Sequence, residues 1–194
     1  DGEQRREARR RAEASLELAP CQTRIGIVGA PRADKDVVGF ARAFARTDRS
    51  DLGLLVLSAR PEELEQIPDD DRITTLPYEF VDRATYNDRL AAIDVLALPF
   101  HADGQMLTTG VVGDAVGLGV GVLCTSWPYL HEMLGDAAID IGDDEAAYEA
   151  ALTALDAEQV HTAAATAATL QERYSWPVVA EATFALLEDL LPPP

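Results

Sequence analysis

The sequence predicts an α/β fold, a doubly wound parallel sheet of about six strands with extra helices at the C-terminal end. Three observations carry this. Short apolar runs alternate with helix-length amphipathic segments from Arg24 onward. Most of the runs, such as 54–58 and 120–125, are apolar at successive positions rather than at every second residue, as strands buried on both faces require. Glycine, proline and aspartate punctuate almost every junction between them.

Residues 3–17 form a charged helix with little apolar periodicity, expected as a surface or linker segment ending near Pro20. Strand one is expected over 24–29, RIGIVG. Asp34 is placed to cap a helix reaching about Thr47, with Val37, Val38, Phe40, Ala41 and Phe44 on one face. A second strand covers 54–58, a short acidic helix opens at Pro61, and a weaker third strand covers 72–76. A helix from about Asp82 to Ala92 leads into a fourth strand at 94–98, and the next helix opens at Thr108-Thr109-Gly110. The fifth strand (120–125), a short helix (129–134) and a short sixth strand (137–141) follow. Asp143 or Asp144 caps a helix to about Leu155, and 157–173 and 177–191 are helical before the triple proline. Gly113, Gly117 and Gly121 are expected to allow close helix–sheet packing, and Trp127 and Trp176 to be packing residues.

Composition narrows the function. The chain has 194 residues, 47% of them hydrophobic, enough for one domain with a sizeable core. A net charge of −18 argues against nucleic acid and anionic membranes as partners. The five arginines and five acids of residues 1–20 cancel, so the acidic excess lies in 21–194, and Lys35 is the only lysine. No apolar run is long enough for a membrane helix and no signal peptide is visible, so a cytoplasmic location is expected. Cys21 and Cys124 match no metal spacing and read as buried free thiols; Asp69-Asp70-Asp71 reads as a turn; no metal or cofactor is expected. His131 and His161 read as structural or solvated. P-loop, G-x-G-x-x-G and Ser-His-Asp signatures are lacking.

In a sheet of order 3-2-1-4-5-6 the reversal of strand order falls between strands 1 and 4, and ligands bind outside their carboxyl ends. The loop after strand 1 carries Arg32 and Lys35, and the loop after strand 4 leads to Thr108, Thr109 and Gly110. The two therefore face one crevice. A helix start offers unpaired amides and a positive dipole end to an anion such as phosphate. Asp114, one turn further in, is placed to reach hydroxyls beside that anion. His101 and Glu132 are secondary candidates.

With these residues in view, the chain resembles the nucleotide-sugar-binding, C-terminal half of a GT-B-fold glycosyltransferase of the retaining, family-four type. The likeness covers roughly 24–190. IVGAPRADKDVVGFARAF is similar to that family's opening strand, basic loop and first helix, and IDVLALPF to its aspartate-initiated fourth strand. TTGVVGDAVGLGVGVLCTSWPYLHEMLGDAAIDI and RYSWPVVAEATFALLEDLL resemble its helix–glycine–strand stretch and its closing helix. The resemblance implies a Rossmann-like domain, residues 21–194, holding a nucleoside-diphosphate sugar, with 1–20 as a helix or linker. It implies that Arg32 and Lys35 bind the diphosphate, that the amides of Thr109, Gly110 and Val111 cradle it, and that Asp114 meets the ribose. The family's second glutamate, beside the donor sugar, corresponds to Met106, with Gln105 one residue out of register. The acceptor, a sugar or a lipid or glycan, would be supplied by an N-terminal domain outside these residues, which could also bring the enzyme to a membrane. The isolated domain is expected to be inactive. A non-catalytic glycosyltransferase-like domain that binds a nucleotide or a protein is the alternative, supported by Met106. A different Rossmann-type enzyme such as a sugar-nucleotide epimerase is a weaker third.

Overall fold

A computed structural model describes residues 2–101 and 109–190 of the chain. Six strands, β1 (Thr23–Ile27), β2 (Leu52–Ala59), β3 (Ile73–Pro77), β4 (Val95–Leu98), β5 (Gly121–Cys124) and β6 (Ala138–Asp140), form one sheet of order β3-β2-β1-β4-β5-β6. Every neighbouring pair is parallel. The architecture and strand order match the sequence-based expectation. Helices α1 (Gly2–Ser15), α2 (Val37–Arg46), α3 (Pro61–Leu64), α4 (Arg83–Ala91), α5 (Val111–Leu118), α6 (Pro128–Leu134), α7 (Glu145–Ala154), α8 (Ala157–Arg173) and α9 (Trp176–Leu190) connect and follow the strands.

Because strand side chains alternate between faces, the continuous apolar runs feed two cores. Leu54 and Val56 of β2, Val95 and Ala97 of β4, and Leu123 of β5 meet Phe40 and Phe44 of α2 and Tyr148 of α7. Leu55, Leu57, Leu96, Leu98 and Val122 point the other way, against α4, α5, α6 and α8. Gly26 in β1 is a packing requirement, since a Cβ there would lie 2.2 Å from Ile93 Cδ1.

Polar contacts set the ends of the elements. Asp94, just before β4, accepts the Arg24 amide at 2.8 Å and pairs with the Arg9 guanidinium of α1. Arg5 of α1 donates to the carbonyls of Leu118 and Ile93, and Ala12 is buried. The N-terminal helix, expected as a surface or linker segment, is thus docked on the sheet's amino end and on α4 through its arginines, a use its weak apolar periodicity does not reveal. Asp70, in the acidic turn before β3, accepts from Arg72, whose guanidinium also reaches the carbonyls of Ala45, Thr47 and Arg49. Asp144, one of the two candidates, caps α7 by accepting from Ala147 N at 2.8 Å.

Four local expectations are corrected. Asp36 rather than Asp34 caps α2, accepting the Gly39 amide at 2.9 Å; Asp34 is held by Arg32 instead. Gly113 and Gly117 do not face the sheet: nothing lies within 4 Å of a Cβ built on either, and only Gly121 meets a packed neighbour, Ala163 of α8 at 2.5 Å. Cys124 is buried as expected, but Cys21 is only half-buried. Trp127 is buried and stacks on Phe100 with ring centroids 4.6 Å apart, whereas Trp176 is 85% exposed. With Phe184, Leu186 and Leu190 it gives α9 an exposed apolar face. Among the described residues no helix is long and apolar enough to cross a membrane.

The packing at Gly26 is testable. Gly26→Ala should destabilise the fold by about 1–3 kcal/mol through overpacking, read by urea denaturation. Ile93→Val removes the atom in closest conflict, so the same substitution in that background should cost less.

Candidate nucleotide crevice

The loops after β1 and β4 are joined where the strand order reverses. Asp36 N donates to Pro99 O at 2.7 Å and His101 N to Asp34 O at 2.8 Å, and Lys35 and Phe100 form an antiparallel bridge between them. Thr125, after β5, clamps the same turn by bonding both the amide and the carbonyl of Phe100. Three consecutive strand ends are therefore held in register along the crevice.

Gly29 brings the third wall into contact. Its φ of +89° favours glycine, and a Cβ there would fall 2.6 Å from Val111 Cγ2 and 3.8 Å from Lys35 Nζ. The turn after β1 thus lies directly against the first residue of α5, and the only lysine is beside it. Sequence position alone predicts that Lys35 and the start of α5 meet, and the structure brings them together.

The state of the lysine differs from the expected picture of a crevice cation. Lys35 precedes α2 instead of lying in its first turn, and it is only 3% exposed. Its ammonium donates to Val28 O at 2.9 Å, Ala30 O at 3.3 Å and Ser58 Oγ at 2.8 Å. An ammonium has three donors, and all are engaged by neutral oxygens. Burial, with a smaller contribution from Arg32, pushes its pKa down to about 8.

Arg32 is also held. Its guanidinium makes a two-point contact with Asp34, Nε to Oδ1 at 2.9 Å and Nη2 to Oδ2 at 2.7 Å, and lies 5.5 Å above the Phe100 ring. Arg32 in turn holds the Asp34 carboxyl below its ordinary range. His101 is exposed, its Nε2 4.0 Å from Asp36 Oδ1. Glu132 is exposed on α6.

Helix α5 begins at Val111, two residues later than the expected opening at Thr109, and Gly110 is its capping residue. Thr109 Oγ1 lies 3.4 Å from Val111 N, a long contact at best. Among the described residues the amides of Thr109 and Gly110 have no acceptor. Thr108, Gln105 and Met106 lie outside the described residues. Thr109, Gly110, Gly113 and Gly117 border an open groove of about 540 Å³ completed by Tyr129 and Tyr174. Asp114 is half-buried, and its Oδ2 accepts from Tyr86 Oη of α4 at 2.8 Å. This partner was not among the sequence-derived candidates. No local motif links two helices that are separated by β4, so only the fold reveals it.

An arrangement of this kind has the donors to hold an anion at a helix terminus. Amide donors and the positive end of α5 stand beside a glycine turn that lets the helix close against the end of β1. Lys35 adds a positive field from behind, and Arg32 one from the side.

Neither a protein-family profile nor a curated protein sequence matches this chain. Solved structures do. Sucrose-phosphate synthase from Thermosynechococcus elongatus superposes with a TM-score of 0.71 at 18% identity, over 92% of this chain and 48% of that one. The C-terminal domain of the group 1 glycosyl transferase LpcC from Francisella tularensis gives 0.62 at 17% identity, over 86% and 92%. HepE from Anabaena, solved with UDP and glucose, gives 0.70 at 16% identity, over 94% and 52%.

The buried lysine predicts a pH dependence. Below pH ~8 both the folded and unfolded chains carry the charge, and folding bears the full cost of burying it. From about 8 to the ordinary value of 10.5 the folded state has lost the proton while the unfolded state keeps it. Stability must therefore rise with pH across that window. Wild type should gain on Lys35→Met by an amount on the order of 3 kcal/mol between those limits, measured by denaturation at each pH. A flat difference would overturn the assignment.

Set beside the six-stranded parallel sheet and its crevice, these superpositions show that the chain has the fold of the C-terminal, Rossmann-like domain of GT-B glycosyltransferases, and it spans about half the length of the sucrose-phosphate synthase and HepE chains.

Proposed function

We propose that this domain holds the nucleoside-diphosphate sugar donor of a glycosyltransferase. The observation that carries the reading is the meeting of Gly29, Lys35 and the first turn of α5 at the reversal of strand order, in a fold shared with a protein crystallised with UDP. The amides of Thr109, Gly110 and Val111, with Thr108 before them, receive the diphosphate. Asp114 meets the ribose. Transfer leaves a diphosphate with growing negative charge, and fixed dipoles aimed at it lower the barrier without having to reorganise. Arg32 and Lys35 supply the cationic field, Lys35 from within the wall and Arg32 beside it. A direct Lys35–phosphate bond requires one of its three donors to be released, and the longest, to Ala30 O at 3.3 Å, is the weakest candidate to resist. His101 and Glu132 border the same edge of the sheet as lesser donor contacts. The acceptor and the groups that act on it come from a second domain, so the isolated domain binds donor without transferring sugar.

One observation favours the non-catalytic alternative: both cations of the crevice are already partnered within the protein, Lys35 by three oxygens and Arg32 by Asp34. In that case the domain binds a nucleotide or a protein without turnover.

Calorimetric titration of the 194-residue chain with UDP and with GDP tests the donor reading. Donor binding predicts saturable heat with one of them, weakened at least about tenfold, or ~1.4 kcal/mol, in Lys35→Met. Binding should also weaken in wild type as pH rises through about 8, where the lysine loses its charge. A flat titration of folded protein with both nucleotides overturns the donor reading.

A further inference from the structure

Tyr86 and Asp114 come from different helices and from opposite sides of β4, yet they share a 2.8 Å hydrogen bond at the carboxyl edge of the sheet. Tyr86 lies in the first turn of α4, which Asp82 fixes by accepting from the amides of Ala84 and Thr85. Its ring packs against the core of that face. The hydroxyl is therefore delivered from a rigid base. Asp114 lies in the first turn of α5, and no other hydrogen bond to its carboxylate is formed by the described residues.

Burial and the neighbouring carboxylate both raise the pKa of Tyr86. The phenol consequently stays protonated and donates throughout the physiological range. An ionised carboxylate has two oxygens and about four acceptor directions. The single bond from Tyr86 to Oδ2 locks the rotation of the group and uses one of those directions. Asp114 is half-buried rather than sealed in the core, and beside it runs an open groove of about 660 Å³ whose other wall is Gln4, Arg5 and Ala8 of α1.

We infer that Tyr86 is a positioning residue for the donor site: by holding one oxygen of Asp114 it presents the rest of the carboxylate to vicinal hydroxyls, and so makes the site select ribose over 2′-deoxyribose. This rests on the donor reading above. A pre-oriented acceptor discriminates against a ligand lacking the hydroxyl because the carboxylate is then left unpaired. An untethered carboxylate rotates to find water and discriminates less. A staple between α4 and α5, with no part in binding, would alter stability alone.

The test is titration of UDP, 2′-deoxy-UDP and pyrophosphate into wild type, Tyr86→Phe and Asp114→Asn, using GDP and its deoxy form if guanine is preferred. Tyr86→Phe keeps the ring and its packing and removes only the donor. Wild type should prefer the ribonucleotide at least about tenfold; either variant should reduce that preference to about threefold or less, with pyrophosphate affinity unchanged in Tyr86→Phe. Combining the two substitutions should reduce it little further, because each breaks the same pair. A Tyr86→Phe protein that retains the wild-type preference overturns the inference and leaves the donor reading standing. If that variant fails to fold, the helix-stapling role is the dominant one and the inference falls. A wild type that binds neither ribonucleotide overturns the donor reading and this inference with it.

Discussion

A single buried ammonium group governs the geometry of the crevice. Lys35 Nζ ties the end of β1 through Val28 O, the following turn through Ala30 O and the end of β2 through Ser58 Oγ. Its backbone bridges to Phe100 after β4. Removing an ammonium from water is costly unless its donors are satisfied, and three oxygens from two segments, 28–30 after β1 and Ser58 in β2, satisfy it. Those segments cannot separate without stranding the charge. The rim that receives the start of α5 is rigid for that reason, and Gly29, with no side chain, lets the helix close against it.

This solution has an electrostatic consequence. The chain carries −18, so any anion site must overcome a repulsive background. Exposed cations at the crevice would be the direct remedy, but Arg32 is paired with Asp34 and Lys35 is inside the wall. The positive potential that remains comes from oriented amides at the start of α5 and from a lysine field acting at short range through a poorly polarisable interior. Such dipoles are already in place when charge develops on a ligand. Flexible cations would have to be ordered first.

Two apolar surfaces stand apart from this organisation. The glycines of α5 open a groove toward Tyr129 and Tyr174. Helix α9 presents Trp176, Phe184, Leu186 and Leu190 with large exposure. Exposed apolar area of this kind marks contact surfaces more often than free ones.

How much of this the sequence determined by itself follows from the range of the forces involved. Alternating apolar runs and capping residues act locally, so the six strands, their order and, to within one residue, the cap of α7 at Asp143 or Asp144 are legible from residue spacing. The topological rule then brings the loops holding Arg32 and Lys35 to the start of α5, because parallel crossovers have one handedness. What the tertiary structure alone decided are the partners of polar groups. Whether Lys35 faces solvent or Ser58, and whether Asp114 stands alone or beside Tyr86, depends on segments far apart in the chain. The docking of the arginine-rich α1 and the exposure of Trp176 belong to the same class. Periodicity says which face of a helix is apolar, but burial is settled by what packs against it. That is a property of three-dimensional proximity and not of spacing.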